Sequence, residues 1–130
     1  MSADVTTSTG QAREALYRAG HALVTQERLT DALAVFRTML LLDAADPRGW
    51  LGLGASHEAR GEVEKALALY ELASSTCGNS AARCTVARAR LLRRLGDGAA
   101  AQEAYALALE QAEAIDDDEM LIALRDEVRS

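Results

Sequence analysis

A period of 34 residues runs through this chain, and few folds are compatible with it. Gly20 and Gly54 stand 34 apart, and the same offset carries Leu16 to Trp50, Ala19 to Leu53, Ala32 to Ala66 and Phe36 to Tyr70. A third copy follows with a slip of one, Ala66 to Ala101 and Tyr70 to Tyr105 each being 35 apart. Self-similarity at this length marks stacked supersecondary units. The copies occupy about residues 13–46, 47–80 and 81–115. Inside each, an apolar stripe at i, i+3, i+4, i+7 is broken by a polar turn and then resumes, which predicts two antiparallel helices. The turns are Thr25-Gln26-Glu27-Arg28, Arg60-Gly61-Glu62 and Gly96-Asp97-Gly98. The one proline, Pro47, falls at the join of the first two copies, where it fits a first helical turn but not a helix interior.

Composition agrees with helices throughout. Hydrophobic residues make up 49% of the 130, but aromatics only 4%, so the apolar content is mostly alanine and leucine, both strong helix formers. The repeat pattern, a large apolar residue, a small one, Gly, then a later Ala with an aromatic four residues on, resembles the tetratricopeptide repeat. Copy two carries it most fully, with Trp50, Leu53, Gly54, Ala66, Tyr70 and Ala73. In copy three, Thr85 and Arg88 replace the usual apolar residues of its first helix. The resemblance implies an all-α, right-handed superhelix of about three helix pairs. Asp116-Asp117-Asp118 can cap a final helix, about 117–129, whose Met120, Leu121, Leu124 and Val128 form one apolar stripe. That helix is expected to cover the flank of the last pair, as solenoid end caps do. Residues 1–10 are expected as a flexible segment and 11–130 as the repeat domain.

Several function classes are disfavoured by what the residues can do. Gly52-Leu53-Gly54 has the first two glycines of a dinucleotide fingerprint, but Ala55-Ser56-His57 follows, the third glycine is missing, and the flanks read as helix, not strand. Gly20 repeats Gly54 at the 34-residue offset, as a packing role predicts and a nucleotide loop does not. A helical glycine costs about 1 kcal/mol against alanine, so a close helix approach must compensate it. Cys77 and Cys84 have no second pair and no histidine at ligand spacing, which points to reduced cysteines and not a metal site. His21 and His57 sit in first helices of successive copies, with no nucleophile and base to form a catalytic set. The expectation is a protein with no catalysis and no cofactor. A net charge of −6 opposes binding to nucleic acid, and no apolar run reaches the roughly 20 residues of a membrane span. Together with the polar start MSADVTTST this suggests a cytoplasmic protein without membrane insertion.

The run Pro47-Arg48-Gly49-Trp50-Leu51-Gly52-Leu53-Gly54-Ala55 is sharper than a generic repeat. It resembles the hallmark of the class II type III secretion chaperones, an arginine, an aromatic pair and then Leu-Gly-Leu-Gly-Ala. Here Gly49 replaces one aromatic and Ser56 the cysteine that usually follows. Leu16-Tyr17, Ala32 to Phe36 and Leu40 to Asp43 fit the same family, whereas Ala82-Arg83-Cys84-Thr85 keeps only the arginine of its third-repeat pattern. The resemblance implies a chaperone that binds a hydrophobic translocator, or an extended segment of one, in the bacterial cytosol and keeps it soluble and unassociated before export. The alternative is a general repeat adaptor scaffolding other proteins. Members of the family carry a longer N-terminal helical segment linked to homodimerisation, so a homodimer stays open for this chain.

Stacked helix pairs expose a concave face built mainly by their first helices. The positions expected to face it are Tyr17, His21 and Val24, then Leu51, Ala55 and Glu58, then Val86, Arg90 and Arg93. An extended client could place apolar side chains there, with polar groups fixing its register. Arg83, Arg88, Arg90, Arg93 and Arg94 make the first helix of copy three basic, and Glu110, Glu113 and Asp116 to Glu119 make the next region acidic. These read either as solvated faces or, for Arg90 and Arg93, as a receptor for a client carboxylate.

Overall fold

Each amphipathic segment of the sequence becomes a helix packed against its chain neighbours in a computed structural model, which describes residues 2–130. The described residues form α1 (Ser2–Thr25), α2 (Leu29–Leu42), α3 (Pro47–Ala59), α4 (Val63–Cys77), a 3₁₀ turn (Gly78–Ala81), α5 (Ala82–Arg94), α6 (Gly98–Ala114) and α7 (Asp118–Arg129). The architecture is all-α. Helices α1 and α2, α3 and α4, and α5 and α6 form antiparallel pairs, and the first helices also touch one another, α1 on α3 and α3 on α5. Helix α1 reaches back to Ser2, so it takes in residues that the sequence reading treats as a flexible segment before residue 11. Met1 lies outside the described residues.

The three turns inside the pairs are built alike. Glu27, Gly61 and Gly96 occupy the equivalent left-handed position, with φ of 60°, 79° and 85°. The next residue in each turn closes a long bond back onto the helix, Arg28 N–H to Leu23 O, Glu62 N–H to His57 O and Asp97 N–H to Leu92 O. This is the Schellman stop, which satisfies carbonyls that a helix end leaves unpaired. Asp116 and Asp117 repeat it before α7. Three helix starts, those of α3, α6 and α7, are fixed by carboxylates: Asp46 accepts from Arg48 N–H, Asp97 from Ala100 N–H and Asp117 from Met120 N–H, each at 3.1 Å.

Aromatic rings of the second helices set the packing. Phe36 on α2 lies between Gly20 of α1 and Gly52 of α3, and Tyr70 on α4 lies against Gly54 of α3. A Cβ on any of these glycines would fall within 3.0 Å of the ring. The rings are buried with Ala32, Leu33, Met39 and Leu53 in the first core cluster, and with Ala66, Ala73, Cys84 and Leu91 in the second. In the third, Tyr105 packs with Val86, Ala89, Ala104 and Leu124, and Ala89 takes the place of the glycine. Thr85, unexpected among apolar positions, is buried within a closed ring of side chains. It donates to Gln111 Oε1 (2.6 Å), Gln111 Nε2 donates to Ser74 Oγ (3.1 Å), and Ser74 lies 3.1 Å from Thr85 Oγ1. Those partners remove the cost of burying its hydroxyl.

Gly54→Ala would gain up to about 1 kcal/mol of helix propensity but would push a methyl group into the Tyr70 ring. Overpacking of this kind costs about 1–3 kcal/mol, so the variant is expected to lose stability in urea unfolding. Gly10→Ala, on α1 with nothing within 4 Å of the added carbon, is expected to gain about 0.5–1 kcal/mol. Opposite signs at the two sites are the expected outcome, and equal gains would remove the packing role of Gly54.

Candidate functional site

Three pockets join into one groove walled by α3, α5 and α7. The first, about 350 Å³, has Leu51, Val86, Ala87, Met120, Ala123 and Leu124 as its apolar lining and Arg83, Arg90, Glu119 and Glu127 among its charged residues. The second, about 330 Å³, runs past Leu51, Ala55, Glu58, Ala87, Arg90 and Arg94 with Tyr70 below. The third, about 290 Å³, lies at the other end, beside Pro47, Ala82, Ile115 and Met120. Leu51 and Arg90 belong to both the first and second, and Arg83 and Met120 to both the first and third.

Five of the nine positions expected on the concave face meet in this groove. Leu51 and Ala55 are half-buried on its α3 wall, Glu58 lies further along, Val86 is buried in the floor and Arg90 lies exposed on the α5 side. The other four lie outside these pockets. Tyr17 meets His21 edge-on at 4.6 Å and carries the Arg48 guanidinium 5.3 Å from its ring centre. Val24 packs, half-buried, against the first core cluster. Arg93 turns from the groove to lie 4.7 Å from the Tyr105 ring centre and donates to the Glu127 carbonyl at 3.4 Å.

Sequence reasoning missed the α7 wall. It treated this helix as an end cap, and α7 does bury Leu121 and Leu124 against the last pair. The same helix also turns Met120, Ala123 and Glu127 to the groove. Their spacing, i, i+3 and i+7, is a helix face that could have been read from the sequence; which neighbour it meets could not.

Glu127 ties α7 to α5. Arg90 donates to it twice, through Nε at 2.9 Å and an Nη at 2.6 Å, and the Tyr105 hydroxyl adds a third bond. The Arg90 bonds, helped by Tyr105 and the charge of Arg93, outweigh burial and hold the Glu127 carboxyl at about 2. Burial, then the bond to Glu127, push the Tyr105 hydroxyl up. A comparable knot joins α1 to α3. Burial pushes the Asp46 carboxyl up, but the bonds from Arg48 and the charges of Arg48 and Arg13 leave it below its ordinary value. Arg48 also reaches Glu14 at 2.6 Å, and Arg13 reaches Asp43 at 2.7 Å. His57, half-buried, lies 3.0 Å from Glu62.

The cysteines are not poised for chemistry. Burial pushes the Cys84 thiol up to about 12 and also raises Cys77, so both are thiols at neutral pH. Among the described residues there is no group of three or more His, Cys, Asp or Glu that could hold a metal, and no helix is long and apolar enough to cross a membrane.

Paired helices in register, small residues under aromatic rings and a groove along the first helices define a tetratricopeptide-like repeat domain. The chain shares this fold over nearly its full length with translocator chaperones of type III secretion. The Yersinia enterocolitica type III secretion translocator chaperone SycD matches with a TM-score of 0.77 and 24% identity, over 98% of this chain and 95% of that one. PcrH, a Pseudomonas aeruginosa protein, in complex with the chaperone binding region of PopB, matches with a TM-score of 0.71 and 26% identity, over 89% and 94% of the two chains. SycD in complex with a peptide of the translocator YopD matches with a TM-score of 0.64 and 26% identity, over 88% and 92%. By sequence, no family model and no curated protein matches the chain.

A carboxyl whose folded pKa lies below its unfolded value binds fewer protons when folded. The contribution of Glu127 is therefore complete above its ordinary 4.5 and fades as pH falls toward 2. Asp46 adds stability lost in the same direction. Glu127→Gln is expected to cost about 1.5 kcal/mol at pH 7, the low end of the range for hydrogen bonds to charged groups because Arg90 is exposed, and to flatten the acid limb of the stability profile. Equal stability of both proteins from pH 7 to pH 3 would show that Glu127 does not anchor α7.

Proposed function

We propose that the chain is a cytoplasmic type III secretion chaperone that catalyses no reaction and needs no cofactor. It holds a hydrophobic segment of a translocator in its groove and keeps that protein soluble and unassociated until export. The observation that carries this reading is the nearly full-length likeness to PcrH and SycD, structures that hold the chaperone binding region of PopB and a peptide of the translocator YopD. The groove between α3, α5 and α7 has the form such a segment needs, open along its length, lined by apolar side chains and edged by charges. Leu51, Ala55, Val86 and Met120 receive apolar side chains of the client, while Glu58 and Arg90 border them. Tyr17, His21 and Val24 extend the binding surface along α1, past Arg48, and Arg93 supports it from behind through Tyr105 and Glu127.

The proposal has a direct test in co-expression with a translocator encoded beside this chain. Wild type is expected to keep the translocator soluble and to co-purify with it. Leu51→Glu, which brings a charge to a half-buried apolar wall, is expected to weaken binding about 30-fold, the equivalent of about 2 kcal/mol, with helical circular dichroism unchanged. Ala55→Gln provides a second variant at a half-buried helix position, should Leu51→Glu fail to fold. Folded variants that still solubilise the translocator would move binding off this groove.

A further inference from the structure

Helix α5 carries five arginines, and the chain itself occupies four of them. Arg90 is bound by Glu127, Arg94 by Glu58 and Arg88 approaches Glu71 at 4.0 Å, while Arg93 covers the Tyr105 ring. Arg83 differs. Among the described residues no carboxylate lies within 4.0 Å of its guanidinium, although it lines both the first and the third pockets. Two aspartates share the third pocket, and both are engaged: Asp46 by Arg13 and Arg48, Asp117 by the Met120 N–H that it caps. Arg83 also stands in the first turn of α5, whose N-cap, Ala81, supplies no side-chain acceptor. A cation there adds to the positive end of the helix dipole instead of offsetting it. Around it the lining is Pro47, Ala82, Ile115 and Met120, apolar surface that a client's side chain can cover.

We infer that Arg83 is a specificity-determining residue of the groove: it pairs with an Asp or Glu of the bound segment, placed beside the apolar side chain that enters the first pocket. This rests on the chaperone reading above and adds to it the chemistry of the client. A guanidinium offers a carboxylate two parallel donors, and the aliphatic stem of Arg83 can lie along Met120 while its head stays at the groove edge. Arg90 would have to give up the Glu127 carboxylate to gain a client's, and Arg93 its place over the Tyr105 ring and its bond to the Glu127 carbonyl, so each has a contact to lose. Arg83 loses none, so recognition of a client carboxylate falls to it and not to Arg90 or Arg93.

Short overlapping peptides of the translocator encoded beside this chain provide the probe, each made as encoded and with every Asp and Glu changed to its amide. They are titrated into wild type, Arg83→Gln and, as a control for net charge, Arg37→Gln on the exposed face of α2. Arg83 is itself exposed, so its replacement leaves the core intact. The tightest peptide is expected to carry a carboxylate and to weaken about fivefold when amidated, the upper range for an exposed ion pair, on wild type and on Arg37→Gln alike. On Arg83→Gln the two forms are expected to bind equally, and binding to wild type is expected to weaken with added salt. A peptide bound tightly by wild type whose affinity ignores both amidation and Arg83→Gln overturns the role of Arg83 and leaves the groove intact. Failure of every peptide to bind overturns the chaperone reading and, with it, this inference.

Discussion

A ring resting on bare backbone is the contact that the rest of this structure depends on. Phe36 can sit between α1 and α3 only because Gly20 and Gly52 have no side chains in its way, and Tyr70 meets Gly54 under the same condition. The glycines weaken their own helices, by about 1 kcal/mol each in isolation, so helix stability has been exchanged for helix packing. The return is large. Burying an aromatic side chain removes apolar area from water on both sides of the ring at roughly 25 cal/mol per Å², and it fixes how far apart successive first helices stand. The groove is an outcome of that separation: its α3 and α5 walls are the opposite faces of helices spaced by rings behind them.

The repeat was legible because this constraint recurs. Glycine and aromatic are 16 residues apart in the first two copies, Gly20 to Phe36 and Gly54 to Tyr70, and a period of 34 relates the copies. Helix number, pairing and the position of Pro47 follow from that pattern alone. The glycines were expected to admit a neighbouring helix, whereas what they admit is a ring from it, a distinction that depends on side-chain direction and not on spacing. Thr85 looked like a defect in the third copy for a related reason. Its partners, Ser74 and Gln111, belong to two other helices, and nothing in the sequence announces their meeting.

The candidate site was legible only where it follows the repeat. Leu51, Ala55, Glu58, Val86 and Arg90 were found by helix phase, because the same face of each first helix turns the same way. Arg93, three residues after Arg90, was assigned to that face too, but its long side chain swings to the Tyr105 ring, where it gains an attraction that water would screen at the groove edge. The basic run of α5 was equally ambiguous in sequence. Three of its five charges are paired by Glu58, Glu71 and Glu127, residues 17 or more positions away, so a helix that reads as a basic patch is largely offset by its neighbours. Such a groove has little to offer a polyanion and suits a mainly apolar segment better.

Helix α7 shows what happens where the repeat ends. An internal helix of the stack has neighbours on two sides and is fixed by apolar burial, but α7 packs chiefly on α6 and buries only Leu121 and Leu124. Two contacts of that size are a thin hold for a helix of three turns, given the conformational entropy that ordering it costs. Polar anchors therefore weigh more here than elsewhere. Asp117 fixes the start of the helix through its cap, and Glu127 fixes the far end through Arg90 and Tyr105, with the apolar pair between them. The groove thus has walls of two kinds. Those of α3 and α5 are held by packed rings, that of α7 by a carboxylate and a cap, and the latter are the interactions that protonation or a competing charge can alter without disturbing the core.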